Sequence, residues 1–392
     1  MKLKIKFDFS ACNRIEACLV ALIVLFTVLK NNMLISLCFA MSFVVLLFYV
    51  ITQHKKINNL WLCSLAIISL SLINVLINGV TSQGATLNFD YFKKVIMFSA
   101  FVLMCYFSSM DSVSSDTVRL VLKLPCVEGI ILVLSYFFYG NTDVQGGGIT
   151  LGFSNPNFTG MWLLHISIYS FLLCIRKDIN WLLRIIAVVF LVFEVRLLIM
   201  TGARSCMIGI ILFAFFCFLG KLGLKKIINN HFTVFLLVSL PIIFVAVYSS
   251  LLESEWFVNT FSFMVSSGKG LGSRLGVWNP AIEIFRKNVI LGDYAEIERG
   301  IGAIRTKQLH NMHLDVLCSY GTAPFILFVM LLYGICIKIG KKADDYFSYC
   351  AFCGFLSIIV MGIFEAGVVA GSMGLNLLTT GLILLANNHS IS

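Results

Sequence analysis

Long apolar runs alternate with short polar punctuation from end to end of this chain. Runs near Ile15–Leu29, Leu34–Thr52, Leu60–Ile77, Phe92–Phe107, Val118–Tyr139 and Phe158–Ile175 are each followed by a polar turn. Six more lie near Trp181–Met200, Cys206–Leu219, Phe232–Leu252, Ala323–Ile339, Tyr346–Phe364 and Val368–Leu385. A helix of about 20 apolar residues crosses the hydrocarbon core with its backbone polar groups bonded internally, so the pattern predicts an all-α polytopic membrane protein with about 12 transmembrane helices.

Composition supports this reading: of 392 residues, 59% are hydrophobic and 12% charged, more apolar surface than a soluble domain could keep from water. The net charge is +10, but the Lys and Arg residues are dispersed over many loops. They are therefore a topology signal and give no reason to invoke nucleic acid. With the amino terminus inside, Lys2, Lys55, Lys56, Arg119, Lys123, Lys177, Lys221, Lys225, Lys226, Lys341 and Lys342 fall on the cytoplasmic side. The short outer segments hold only Lys30, Lys93, Lys94, Arg196 and Arg204, and both termini are expected in the cytoplasm. The first run follows a basic start without a small-residue cleavage site, so it is expected to stay as an anchor. The 13 cysteines lie in or beside the runs, in no disulfide or metal-cluster spacing, and Cys350 and Cys353 read as packing residues.

One connection is long: the polar segment from Glu253 to Leu309, on the outer face and closing at His310. Long ordered loops are where function concentrates. Within it Trp278, Ile282, Phe285 and Val289 recur at helical spacing, predicting an amphipathic helix at the membrane interface. Pro280 suits the first turn of a helix starting at Asn279 but would kink one starting at Ser273. The loop ends on His310, Asn311, Met312, His313, Leu314 and Asp315, with Gly321 ahead of the tenth run. Taken alone, these histidines read as interfacial imidazoles in a solvated turn.

Two shorter outer elements carry further candidates. Thr201–Ser205 places Arg204 at a run end, where alone it would read as an arginine reaching the headgroups. Arg196, deeper in the same run as Glu194, suggests an ion pair with a neighbouring helix, since residues two apart on a helix do not face each other. The Gly-rich stretch from Gln145 leads into Asn155, Pro156 and Asn157, a helix start. Among acids, Glu365 at an outer run end and Asp315 beside the histidines compete as bases, while Glu128 lies mid-run and reads as structural.

Together these segments resemble the O-antigen ligase and O-antigen polymerase superfamily of bacterial envelope glycosyltransferases. The matching positions are Gly152–Gly160 (GFSNPNFTG), Thr201–Ser205 (TGARS), Ser273 and Arg274 with Trp278, and His310 and Asn311 followed by Leu314 and Gly321. The resemblance covers about Gly152 to Leu332. It implies a GT-C-like fold, with residues 1–140 as an N-terminal scaffold of about five spans. Residues 141–392 would then be the ligase/polymerase-like membrane domain, carrying the outer loop 253–310. It also implies a polyprenyl-pyrophosphate-linked oligosaccharide donor, metal-independent chemistry without a cofactor, and an inner-membrane location with the active site facing the periplasm or exterior. A chain-length regulator and a flippase would be candidate partners.

In that setting Arg204 and Arg274 would bind the pyrophosphate, because guanidinium groups hold such oxygens in bidentate fashion. His310 would be the catalytic base, since a neutral imidazole suits an acceptor hydroxyl at envelope pH. His313, Asn311, Arg196, Glu365 and Asn157 are accessory candidates. His313 stands where many relatives have an aromatic residue, which leaves its part open. No Asp-x-Asp pattern of the nucleotide-sugar enzymes is present. The expected function is a repeat-unit polymerase for O-antigen or capsule. A ligase moving the finished glycan to lipid A core or another acceptor is the alternative, and a transporter or flippase for the same lipid-linked sugar is the alternative from another class.

Overall fold

A computed structural model describes residues 58–83, 89–110, 115–139, 144–145, 147–153, 155–252, 254–260, 272–293, 296–297, 309–367, 369 and 373–387. The first two apolar runs of the sequence lie outside these residues. The regular structure among the described residues is helical apart from one two-stranded antiparallel hairpin, Val144–Gln145 with Gly148–Ile149. Among the described residues six helices are long and apolar enough to cross a membrane: Asn59–Ile77, Val118–Phe138, Pro156–Ile175, Arg204–Lys221, His231–Tyr248 and Thr322–Lys342. Lys94–Ser109, Tyr346–Met361 and Gly374–Asn387 are apolar but shorter. The helix Trp181–Met200 contains Arg184, Glu194 and Arg196 and is not among the six.

The described residues form two compact units. One, spanning residues 115–203, contains α3 (Ser115–Tyr139), the hairpin, α4 (Pro156–Ile175) and α5 (Trp181–Met200). Asn155 caps α4 by accepting from the Phe158 N–H at 2.8 Å, with Pro156 in the first turn, as the Asn-Pro step predicts. Glu194 is fully buried and accepts a hydrogen bond from Ser170 Oγ at 3.0 Å. Gly129 gives its carboxylate room, because a Cβ there would lie 2.2 Å from Oε1. Arg196 points outward on the exposed face of α5, so the expected ion pair is absent among the described residues. The polar partner of this helix is instead a serine on α4.

The second unit takes residues 58–110 and 204–386. It contains α1 (Asn59–Gln83), α2 (Phe89–Met110), α6 (Arg204–Lys221), α7 (Lys225–Ile228) and α8 (His231–Leu252). Beyond these come α9 (Glu255–Thr260), α10 (Gly272–Lys287), α11 (Met312–Tyr320), α12 (Thr322–Lys342), α13 (Tyr346–Met361) and α14 (Met373–Asn387). Helix α1 packs on α12, with Cys63 Sγ donating to the Leu327 carbonyl at 3.1 Å. Helix α6 packs on α13, where Tyr349 donates to the Phe216 carbonyl at 3.0 Å.

The amphipathic helix of the long loop is α10, and it starts at Gly272, so Pro280 sits inside it. The carbonyl that a proline at 280 would crowd belongs to Gly276, which has open space where a side chain would stand. Val277, Trp278 and Ala281 form its buried stripe, against Val245 and Tyr248 of α8 and Leu314 of α11. Val289, expected on that stripe, lies past the helix end and is exposed. Instead, the segment after α10 docks on the α11–α12 junction. Asp293 N–H donates to the Cys318 carbonyl at 2.9 Å, and Thr322 Oγ1 donates to the Val289 carbonyl at 2.7 Å.

Gly321 makes that docking sterically feasible: its φ is 89°, and a Cβ would fall 2.1 Å from the Ile290 carbonyl oxygen. We expect Gly321→Ala to destabilise the chain by more than about 2 kcal/mol, the left-handed penalty adding to the clash. Gly276→Ala, which meets nothing, should be neutral or stabilising by up to about 1 kcal/mol. Thermal unfolding of the purified variants in one detergent checks the contrast.

Candidate functional site

The site is built around a short non-helical stretch, residues 309–311, which passes through a buried environment just ahead of α11. Backbone groups there lack helical partners and must find others. Trp278 Nε1 donates to the Leu309 carbonyl at 2.7 Å, and Arg274 Nη1 donates to the His310 carbonyl at 2.9 Å. Met312 N–H donates to the carbonyl of Gly362, the residue that ends α13, at 2.8 Å. Asn311, fully buried, accepts from the Leu314 N–H at 2.9 Å as the cap of α11. Its amide donates to the Pro241 carbonyl at 2.9 Å and the Ile363 carbonyl at 3.0 Å. Asn311 therefore shapes the loop, and all three of its contacts are internal.

His310 adopts a φ of 51°, a left-handed conformation that costs a non-glycine residue about 1–2 kcal/mol. The surrounding bonds hold it there. Its ring is part-exposed, and Nδ1 lies 3.4 Å from Glu365 Oε2. A carboxylate only accepts, so Nδ1 is the donor, and the other ring nitrogen, Nε2, is left as the acceptor. Glu365 is 3% exposed, and its second oxygen, Oε1, faces Arg274 Nη2 at 3.4 Å. Arg274 also donates through Nη1 to the Phe364 carbonyl, and its guanidinium lies 5.8 Å from the centre of the Phe364 ring. Arg274, His310 and Glu365, taken from three separate segments, thus form one connected group.

Arg204 opens α6, is exposed, and makes no ion pair among the described residues. Two residues further on, the thiol of Cys206 is close enough to Glu365 and Arg274 to feel both charges, and it contacts Met361 Sδ at 3.9 Å. The first turn of α6 is therefore at the same end of this unit as the Arg274–His310–Glu365 group. Helix N-termini present free N–H groups and a positive dipole end, so this arrangement can take an anion.

His313 is fully buried on α11, edge-on to Phe325 and Phe328, with the backbone of Val238 beside it. Burial pulls its imidazole down to about 3. It is a core residue, packed among aromatic rings. Asn157 lies in the first turn of α4 and, with Arg196, belongs to the other unit.

Sequence reasoning named Glu365 as a rival base and an accessory candidate, without a partner. Its contact with His310 spans 55 positions, and no local signal announces it. The Phe364 carbonyl and Cys206 were likewise invisible in the sequence.

Compared with known proteins, the chain matches no family model and no curated protein. What fold and site define is an all-α chain with helices able to cross a membrane. At one end of its larger unit stands a connected Arg–Glu–His group.

His313→Phe should fold and retain function, with a Tm within a few degrees of the parent. The parent should also lose stability as pH falls below about 6.5 toward 3, because only the unfolded chain protonates His313 in that window. In His313→Phe that part of the pH dependence should vanish, as melting curves at stepped pH would show.

Proposed function

We propose that the chain is a polysaccharide repeat-unit polymerase of the bacterial inner membrane, acting on polyprenyl-pyrophosphate-linked glycans at the outer face. The observation that carries this reading is the connected His310–Glu365–Arg274 group: Nδ1 of His310 faces buried Glu365, which leaves Nε2 as the acceptor, and the first turn of α6 is at the same end of the unit. The motif resemblance supplies the substrate class, and the residue chemistry fits it.

In the reaction, a hydroxyl at the non-reducing end of the incoming repeat unit attacks the anomeric carbon of the growing chain. The new carbon–oxygen bond forms as the bond to pyrophosphate breaks, the electron pair leaves on the pyrophosphate oxygen, and the hydroxyl proton passes to His310 Nε2. Glu365 keeps the ring in the tautomer that can accept it and stabilises the resulting imidazolium. Arg204 and the α6 start meet the negative charge on the leaving group. Arg274 is largely committed to the protein through two carbonyls and Glu365. Its foremost role here is to fix His310, with its remaining N–H groups facing the donor.

Topology supports the same reading. The lysines Lys221, Lys225, Lys226, Lys341 and Lys342 cluster at the far ends of α6, α7 and α12, opposite Arg204, as a cytoplasmic face would require. Helix α6, 18 residues long, spans roughly 27 Å between the two ends, close to a hydrocarbon core of about 30 Å. The twelve-span count and the GT-C-like architecture belong to this proposal too.

Transport of the same lipid-linked sugar is favoured by a different observation. His165, Glu128 and Glu194 are buried within the helices of the smaller unit, where an intramembrane pathway would place polar groups. A gel of surface glycans from a deletion strain separates the readings. Core bearing one repeat supports the polymerase, bare core indicates the ligase, and a cytoplasmic-face intermediate indicates a flippase.

In that assay His310→Gly, which relieves the left-handed strain while removing the base, should leave the protein abundant and abolish chain extension. Full-length glycan from this variant would sink the assignment of His310. Arg204→Ala should lose at least about a hundredfold in rate, the scale of one charge-stabilising group. Glu365→Gln should lose activity without losing the fold, whereas Arg274→Ala should also unfold readily, since it strands a buried carboxylate at about 3–5 kcal/mol.

A further inference from the structure

The lysine-rich end of the larger unit has features that a topology signal alone does not require. Four segments are stitched together there. Asn229, which ends α7, donates to the Gly340 carbonyl at 2.8 Å, and Lys225 Nζ donates to the Asp344 carbonyl at 2.8 Å and lies 5.3 Å from the centre of the Tyr349 ring. Ile228 is buried beneath them. These contacts fix α7 against the end of α12 and the start of α13, to which α6 is joined through Tyr349 and Phe216, with Lys221, Lys226 and Lys341 exposed. Of the two acids nearby, Asp345 is occupied in capping α13 through the Ser348 N–H, and Asp344 is exposed.

Below the lysines, α6 and the residue that follows it carry a column of exposed apolar side chains: Ile211 at 65%, Phe215 at 52%, Phe218 at 57% and Leu222 at 56%, the last still bonded to the Phe218 carbonyl. The spacing of four, three and four puts them on one face of the helix, and the column ends beside Lys221. Its length is roughly 17 Å, against about 15 Å for one leaflet of the hydrocarbon core.

We propose that this end of the unit is a binding site for an anionic phospholipid. The headgroup phosphate is held by Lys221, Lys226 and Lys341, and an acyl chain lies along the Ile211–Leu222 column. The ligand chemistry follows from the combination, because phosphate alone explains the lysines and a neutral lipid alone explains the column. Lys225 is excluded from the headgroup contacts, since it is bound to Asp344 and Tyr349. The site is at the opposite end of α6 from Arg204 and is independent of the glycan chemistry, but it rests on the chain residing in a membrane.

The test is native mass spectrometry of the full chain released from detergent with phosphatidylglycerol or phosphatidylcholine of identical acyl chains. Phosphatidylglycerol should be retained about tenfold better. Lys221→Gln/Lys226→Gln/Lys341→Gln should reduce that preference to less than twofold, while Phe215→Ser/Phe218→Ser should weaken both lipids. Equal retention of the two lipids by the parent overturns the proposal. So does a thermal stabilisation by inorganic phosphate equal to that by phosphatidylglycerol, which would indicate a free-phosphate site. Release of the chain from membranes by alkaline carbonate would overturn the membrane residence itself, an outcome distinct from the other two.

Discussion

Three backbone groups between Leu309 and Met312 need partners that no local helix hydrogen bond provides, and supplying them organises this end of the larger unit. The partners are Trp278 and Arg274 from α10 and the Gly362 carbonyl at the end of α13, with Asn311 itself reaching Pro241 of α8 and Ile363. Each buried polar group left unpaired would cost about 1–3 kcal/mol. One loop therefore ties α8, α10, α11 and the end of α13 together, and the placing of Arg274, His310 and Glu365 follows from it. Arg274 joins the two demands, since the guanidinium that satisfies the His310 carbonyl also neutralises Glu365.

This coupling explains how a strained histidine is tolerated. A φ of 51° would relax if the loop were free, yet relaxation would break hydrogen bonds worth more together than the strain. The imidazole is thereby presented with Nδ1 toward buried Glu365, an orientation that solvent alone would not select. Helix α10 contributes through two features that act against ordinary helix rules. Pro280 lies inside it, and Gly276, whose carbonyl the proline would crowd, leaves space around the turn between Arg274 and Trp278.

Much of the scaffold was legible because apolar runs report helices directly. Helix α5 coincides with Trp181–Met200 as read from the sequence, and the Asn155–Pro156 step marks the start of α4. Boundaries failed where backbone chemistry outweighed hydrophobicity. The run Tyr346–Phe364 ends as a helix at Met361, because Gly362 turns the chain and its carbonyl is taken by Met312. Histidine, arginine and asparagine could be singled out by type and spacing, but the Glu365–His310 contact could not. Hydrophobic periodicity carries no information on pairing across 55 residues. Arg196 was misjudged for a related reason: its depth in the sequence run says nothing of which helical face it occupies, and that face is exposed.

The two ends of the larger unit divide its charges by kind. At one end arginines dominate, one free at a helix start and one locked to a carboxylate and two carbonyls; at the other all the cations on α6, α7 and α12 are lysines. Guanidinium groups form fixed, directional forks, suited to holding a loop and a leaving group in one geometry, whereas ammonium groups act as mobile point charges. A reacting centre needs the first, since displacement of a fraction of an ångström misaligns attack. A lipid surface needs only the second, because headgroups exchange and no bond is made there. On the proposed functions, residue type at each end matches the precision demanded of it, and Arg274 and Lys221, both cations near helix ends, would not be interchangeable.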